Sequence, residues 1–258
     1  MLLLAFSIGA TILNTIAGGG QGIILVPLLT ILFSFSPSDA VGTNFVAALA
    51  GSISSMLSFS RGRIVDFKLG VAFGMIAVPG VILGSVLTSR VPLELFNPTL
   101  GLIVEVLALV MFFRSDIRLR REQDQDNQGA SDEERSRRSV NLEIAIPLVI
   151  LTGILAGTFG AGGGLILTPA LLIVGVPILR AVGTNRLIAV IYIAAGVIFK
   201  SSLGQVNLDF GLWLVMGAIV GGVVGARLVR LQNSTTLRRM VAIVISILGL
   251  YLLFQVFS

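Results

Sequence analysis

The chain of 258 residues has no cysteine and no histidine. Those two absences exclude disulfides, thiolate nucleophiles, cysteine–histidine zinc sites and serine–histidine catalysis. Charge is also sparse: Asp, Glu, Lys and Arg make up 12% of the residues, against about 25% in an ordinary soluble domain. So few charges cannot cover a water-facing surface. Carboxylates are rarest where they would matter, since Glu105 is the only one deep inside an apolar segment. A carrier of metal cations needs a cluster of oxygen ligands. The shortage argues against a cation carrier and against an intramembrane enzyme, and no metal or cofactor is expected.

What is present is apolar. Hydrophobic residues make up 55% of the chain and the mean hydropathy is +1.00. Apolar segments run over residues 2–33, 40–60, 69–89, 95–113, 142–176, 181–199, 208–229 and 238–257, several of them near the roughly 20 residues that span a bilayer. This is the pattern of an all-α polytopic membrane protein. The net charge of +5 and pI near 10.7 invite a nucleic-acid reading. The basic residues, however, sit in loops beside apolar segments, as topology signals do, so the lipid bilayer and not nucleic acid is the expected partner. The N-terminus has no basic stretch ahead of its apolar run, and a cleavable leader is not expected.

Between the fourth and fifth segments lies RSDIRLRREQDQDNQGASDEERSRRS, almost wholly polar and of mixed charge. It cannot offset its ordering entropy by burial and reads as a linker. The expected organisation is a first membrane repeat over 1–113, a linker over 114–140 and a second repeat over 141–258. The halves match in order. With Pro27 on Pro169, Gly18, Gly20 and Gly22 fall on Gly160, Gly162 and Gly164. DAVGTN at 39–44 matches RAVGTN at 180–185, VDFKLGVAFG at 65–74 resembles LDFGLWLVMG at 208–217, and PGVILGS at 79–85 resembles GGVVGA at 221–226. An internally duplicated unit is a common plan for secondary transporters.

The first segment of each half is too long for one crossing and carries a glycine cluster near its middle, so two half-length helices meeting at the glycines are predicted. Basic clusters follow the second segment (Arg61, Arg63, Lys68), fill the linker, and separate the seventh and eighth segments (Arg227, Arg230, Arg238, Arg239). If the split segments are re-entrant hairpins, all three clusters share one membrane face, as the positive-inside tendency favours. Six crossings with two hairpins, and hence inverted halves, are preferred over eight crossings.

The glycine runs place backbone N–H groups at helix N-termini, where the dipole is positive and glycine leaves the backbone open to an anion. Gly18, Gly19, Gly20, Gln21 and Gly22 form the first candidate cluster; Gly160, Gly162, Gly163 and Gly164 form the second. Close helix packing is the alternative for such small residues, and it is the preferred reading for GVILG and GGVVG. Thr43, Asn44, Thr184 and Asn185 can hold an oxyanion by hydrogen bonds, or can simply cap helices. Asn14 and Gln21 have Ala156 and Gly163 as counterparts, so the hairpins are chemically unequal. Arg186 stands where the first half has Phe45. An arginine inside an apolar segment usually has a purpose, and its fork suits sulfonate, sulfite or carboxylate oxygens; a snorkelling arginine is the alternative. Glu105 can serve in proton coupling, pair with Arg186, or sit in a plain hydrogen bond. Lys200 is expected at the interface, and Asp66 and Asp209 as helix caps.

With these motifs in view, the chain resembles the sulfite exporter TauE/SafE family of membrane permeases. The resemblance rests on AGGGQGIILVP, on GAGGGLILTP, on AVGTN in both halves and on the polar central loop, and it covers both halves. It implies a bacterial inner-membrane exporter of small sulfur-containing anions such as sulfite, sulfoacetate or other sulfonates. It also implies that the family's glycine and GTN motifs fall on the positions just named. A cysteine-based sulfur relay, suggested for some thiosulfate permeases, is excluded. An anion channel and a permease for carboxylates or another small solute are the alternatives, and a homodimer is left open.

Overall fold

A computed structural model describes residues 1–17, 20–60, 64–103, 105–106, 142–160, 163–173, 176, 178–231, 246 and 250. The charged stretch 114–140 and most of the segment 238–257 lie outside the described residues, as does the second half of 95–113. Among the described residues there is helix and no strand. In chain order the helices are α1 (Leu2–Ala17), α2 (Gln21–Leu32), α3 (Pro37–Ser60), α4 (Phe67–Thr88), α5 (93–103), α6 (Leu142–Phe159), α7 (Gly163–Ile173), α8 (Ile178–Ser202) and α9 (Leu208–Leu231).

The over-long first segment of each half is split, as its length and glycines predict. Helices α1, α2, α6 and α7 have 16, 12, 18 and 11 residues, so each is shorter than a hydrocarbon core of about 30 Å. Four others are long and apolar enough to cross a membrane: Pro37–Ser60, Phe67–Thr88, Arg180–Ser202 and Leu208–Val229. Within their most apolar windows α3 and α8 are 67% and 61% buried, against 44% and 39% for α4 and α9. The two GTN-bearing helices are therefore central, and α4 and α9 are outer.

The outer faces carry a four-residue repeat. Phe67, Val71, Met75, Leu83 and Leu87 are exposed along α4, and Leu208, Leu212, Met216 and Val220 along α9. Exposed apolar stripes of this kind suit lipid, where every backbone group is already satisfied inside its helix. Asp66 caps α4 by accepting from Leu69 N at 3.0 Å. The matching cap of α9 is Asn207, whose Oδ1 accepts from Phe210 N at 3.2 Å. The sequence reading assigned that cap to Asp209. Asp209 instead sits within the first turn of α9, because the helix starts at Leu208.

Small residues make the seams between the halves. Gly80 and Gly84 of α4 lie against Ile150, Gly153, Ile154 and Gly157 of α6, and a Cβ at Gly84 would run into the Ile154 carbonyl. In the matching seam Gly217, Gly221 and Gly225 of α9 lie against Ser7, Thr11 and Thr15 of α1. This is close packing by small residues, the reading the glycine spacing favoured.

These contacts also give helix directions. Residue numbers rise together along α4 and α6, along α1 and α9, and along α4 and α8, where Gly70 meets Leu187 and Gly74 meets Ile191. They rise together again along α3 and α9, with Gly51 at Ala218 and Ser54 at Gly222. Along α3 and α8 they run oppositely, since Phe45 meets Gly196 and Gly42 meets Lys200. Thus α1, α3 and α9 point one way, and α4, α6 and α8 the other.

Candidate functional site: a polar cavity between two glycine hairpins

The first split segment leaves helix at Ala17 and resumes it at Gln21. Gly20 takes φ 116°, a left-handed backbone that glycine adopts without strain. Asn14 stabilises the turn, its Oδ1 accepting from Gln21 N at 3.2 Å. In the second hairpin Gly160 takes φ 65°, and its carbonyl accepts from Asn44 Nδ2 at 3.2 Å. Asn185 Nδ2 donates to Thr168 Oγ1 at 2.9 Å and Gly164 O at 3.3 Å. Each GTN asparagine therefore braces the second hairpin. Gly18, Gly19 and Gly162 lie outside the described residues.

The two glycine breaks and the central helices border a cavity of about 30 Å³. Gly20, Gly160, Gly163 and Gly164 line it from the tips, and Asn14, Gln21, Ser52, Asn185, Arg186 and Tyr192 contribute its polar side chains. Phe45, Ala48, Ala156, Ala189 and Ile193 complete the wall. Of the sequence-derived candidates, the structure thus brings together Asn14, Gly20, Gln21, Gly160, Gly163, Gly164, Asn185 and Arg186. Gly22 is buried within α2 and is not part of the wall.

Arg186 dominates the electrostatics. Only 2% of it is exposed, so it does not snorkel. Its Nη2 donates to Asn14 O at 2.7 Å and to Thr15 O at 3.4 Å. Those carbonyls belong to the last turn of α1, where a cation is favoured. Nε has no partner, and among the described residues no carboxylate pairs with this side chain. Both side-chain polar atoms of Gln21 are likewise buried without partners, as is Asn44 Oδ1. Buried polar groups are nearly always satisfied. A concentration of open ones around a cationic cavity is what a bound polar solute would complete.

Thr43 and Thr184 do something other than line this cavity. Thr43 Oγ1 accepts from Asn207 N at 3.0 Å, and Thr184 Oγ1 accepts from Asp66 N at 3.0 Å. Each threonine holds the loop before an outer helix of the opposite half. The glycine beside it leaves room for that loop: a Cβ at Gly42 or Gly183 would collide with the Gln205 or Ile64 carbonyl. In the GTN motif, then, glycine and threonine lock the halves together, and asparagine faces a hairpin.

Two further residues have surroundings that the sequence left open. Lys200, in the last turn of α8, is buried within the protein and not exposed at its surface, donating from Nζ to Gln205 Oε1 at 2.9 Å and Ser85 O at 3.2 Å. The tight approach of the 203–207 loop to α3 and α4 covers it. Glu105 does not pair with Arg186. Its Oε1 accepts from Ser246 Oγ at 2.8 Å, and it is absent from the cavity wall.

Tyr192 is the site residue that the sequence reading missed. Its hydroxyl occupies the space that a side chain at Gly163 would need. In the other half the pattern is swapped, since Gln21 stands in the position of Gly163 and Gly51 in that of Tyr192. A Cβ at Gly51 would lie 3.4 Å from Gln21 Oε1. Each hairpin thus receives one large polar side chain at this height, from the hairpin itself in one half and from the central helix in the other. The repeat alignment held the signal, in two compensating exchanges with glycine.

A multi-pass helical membrane protein with a buried, mostly neutral polar cavity between two repeated halves has the make-up of a solute transporter. The chain belongs to the sulfite exporter TauE/SafE family, whose model matches residues 2–252, and it is a membrane transporter of that family. It is 26% identical to the probable membrane transporter protein YunE of Bacillus subtilis, over 99% of this chain and 97% of that protein. It is 29% identical to the probable membrane transporter protein YdhB of the same organism, over 98% and 99% of the two chains. With the probable membrane transporter protein YfcA of Escherichia coli K12 it shares 26% identity, over 95% and 86%. No solved structure matches the chain.

Proposed function

We propose that the protein is an alternating-access exporter of small sulfur-containing anions, such as sulfite, sulfoacetate or other organosulfonates, in the bacterial inner membrane. The observation that carries this reading is Arg186: a buried guanidinium that, among the described residues, has no carboxylate partner and faces a cavity whose other polar groups are neutral. A buried charge is costly unless it is paired, and an anionic solute would supply the pair. The planar fork matches the oxygens of a sulfonate or sulfite group.

Rocking transport is the second part of the reading. Helices α1, α3 and α4 of the first half run opposite to their counterparts α6, α8 and α9, which is the relation that inverted repeats require. Because α1 and α3 run the same way, α2 must return between them, which suits a re-entrant hairpin. The cavity lies between the halves, where rocking would expose it alternately. The family's name supports a sulfur anion as cargo.

Counterflow into proteoliposomes tests this. Vesicles loaded with sulfite should take up labelled sulfite faster than empty ones, and Arg186→Gln should abolish the acceleration. Electrodiffusive flux without counterflow would replace the carrier with a channel. Stronger competition by acetate than by methanesulfonate would redirect the reading to carboxylates.

A further inference from the structure

Thr88 closes α4 beside the end of α6, and its hydroxyl has more oxygen neighbours than protons to give them. Oγ1 lies 2.9 Å from Gly84 O, 2.9 Å from Gly157 O and 2.7 Å from Thr158 O. A hydroxyl carries one proton. It can serve one of these carbonyls, which leaves two close oxygen–oxygen contacts without a proton between them. The place is buried, with only 1% of Thr88 exposed. Ser85, one turn earlier on α4, adds a second hydroxyl. Its Oγ is buried and, among the described residues, has no partner. The residue stands against Gly157, where a Cβ would lie 2.8 Å from Ser85 N. Buried polar groups are nearly always satisfied, so this concentration of oxygens calls for a positive partner.

Gly157 and Thr158 belong to the last turn of α6. There a helix carries about half a negative charge, and its final carbonyls have no partner within the helix. The two halves treat this end differently. With Pro27 on Pro169, Thr15 and Ile16 of α1 match Gly157 and Thr158. The end of α1 has a cation of its own, since Arg186 donates to Asn14 O and Thr15 O. The residue matching Arg186 is Phe45, which supplies no such cation to α6. The exchange runs the other way on the outer helices. With Gly84 on Gly225, Ser85 and Thr88 match Ala226 and Val229, so the two hydroxyls occur only at the end that lacks the arginine.

From this we infer that Ser85, Thr88 and the end of α6 bind a sodium ion. Carbonyls at the end of a broken helix are sodium ligands in membrane carriers and need no carboxylate beside them. Divalent ions are held chiefly through carboxylates, whereas the oxygens here are neutral. Lys200 Nζ already occupies the adjoining Ser85 carbonyl, and its charge further disfavours a divalent ion. The sodium ion would fasten α4 of the first half to the broken segment of the second, just before Gly160 in the cavity wall.

Binding of radioactive sodium to the purified full-length protein tests this. No anionic substrate is present, so the outcome is separate from that of the transport reading. Saturable binding is expected, displaced by unlabelled sodium and not by choline. Thr88→Val should weaken it by about 10-fold or more, while Thr88→Ser, which keeps the oxygen, should stay within about threefold. Ser85→Ala, with the same expected loss as Thr88→Val, carries the test if the valine variant fails to fold. Thermal unfolding gives a second measure: at equal ionic strength, sodium chloride should raise the unfolding temperature above that in choline chloride for the parent and Thr88→Ser only. No saturable binding to the folded parent, or unchanged affinity in folded Thr88→Val or Ser85→Ala, would overturn the site.

Discussion

Replacing Arg186 is the sharpest perturbation that the structure offers, because two costs attach to it and they can be separated. The guanidinium donates to Asn14 O at 2.7 Å and to Thr15 O at 3.4 Å. Hydrogen bonds to charged groups contribute about 1.5–3 kcal/mol each, and the longer one lies at the weak end of that range. In the proposed anion transport its second role is to supply the charge that faces the solute. Removing one member of a buried, hydrogen-bonded ion pair costs about 2–5 kcal/mol, or about 30-fold to several thousand-fold in Kd. Arg186→Gln should therefore lower methanesulfonate affinity by at least about 30-fold. Arg186→Lys keeps the charge but loses the fork, and should fall between the two. Thermal unfolding of the same variants reads the loss at the end of α1 independently of binding. Lys200→Gln is the control: it alters a cation equally buried in the same helix but outside the cavity wall. It should lower the unfolding temperature and leave the affinity within about threefold. If folded Arg186→Gln binds as the parent does, or if the Lys200 variant loses as much affinity, Arg186 is not the anion's partner and the reasoning fails.

The remaining tests are brief. Thr43→Val and Thr184→Val each orphan a loop N–H, so each should cost about 1–3 kcal/mol of stability without changing anion affinity; a selective loss of binding in a stable variant would return the threonines to the site. Tyr192→Phe removes only a hydroxyl and should weaken methanesulfonate by about 1 kcal/mol, close to fivefold, with thermal stability nearly unchanged. Gly84→Ala must push α4 from α6 and should reduce folded yield, whereas Gly9→Ala, whose Cβ would meet nothing within 4 Å, should be silent. The chain has no native cysteine, so Ser36→Cys and Arg180→Cys can be labelled singly with a membrane-impermeant maleimide. Labelling from opposite sides is expected, and labelling from the same side would sink the inverted arrangement.

Much was legible in the sequence, and each legible feature is local or repeats along the chain. A shortage of charge decides the solvent. Segment length against helix rise, with glycines in mid-segment, decides that the first segment of each half is two helices. The alignment of the halves decides the repeat and finds the glycine runs, the GTN motifs and Arg186 as an exception to symmetry. Tertiary structure decided which groups meet. Chain spacing cannot say that Arg186 reaches the end of α1, more than 170 positions away in sequence, or that Thr43 and Thr184 spend their hydroxyls on loops of the opposite half. Nor can it say that Lys200 is covered by a loop five residues further on, or that Tyr192 fills the space left by Gly163. A side chain's environment is set by whichever helices pack against it, and those pairings join distant segments across the two halves.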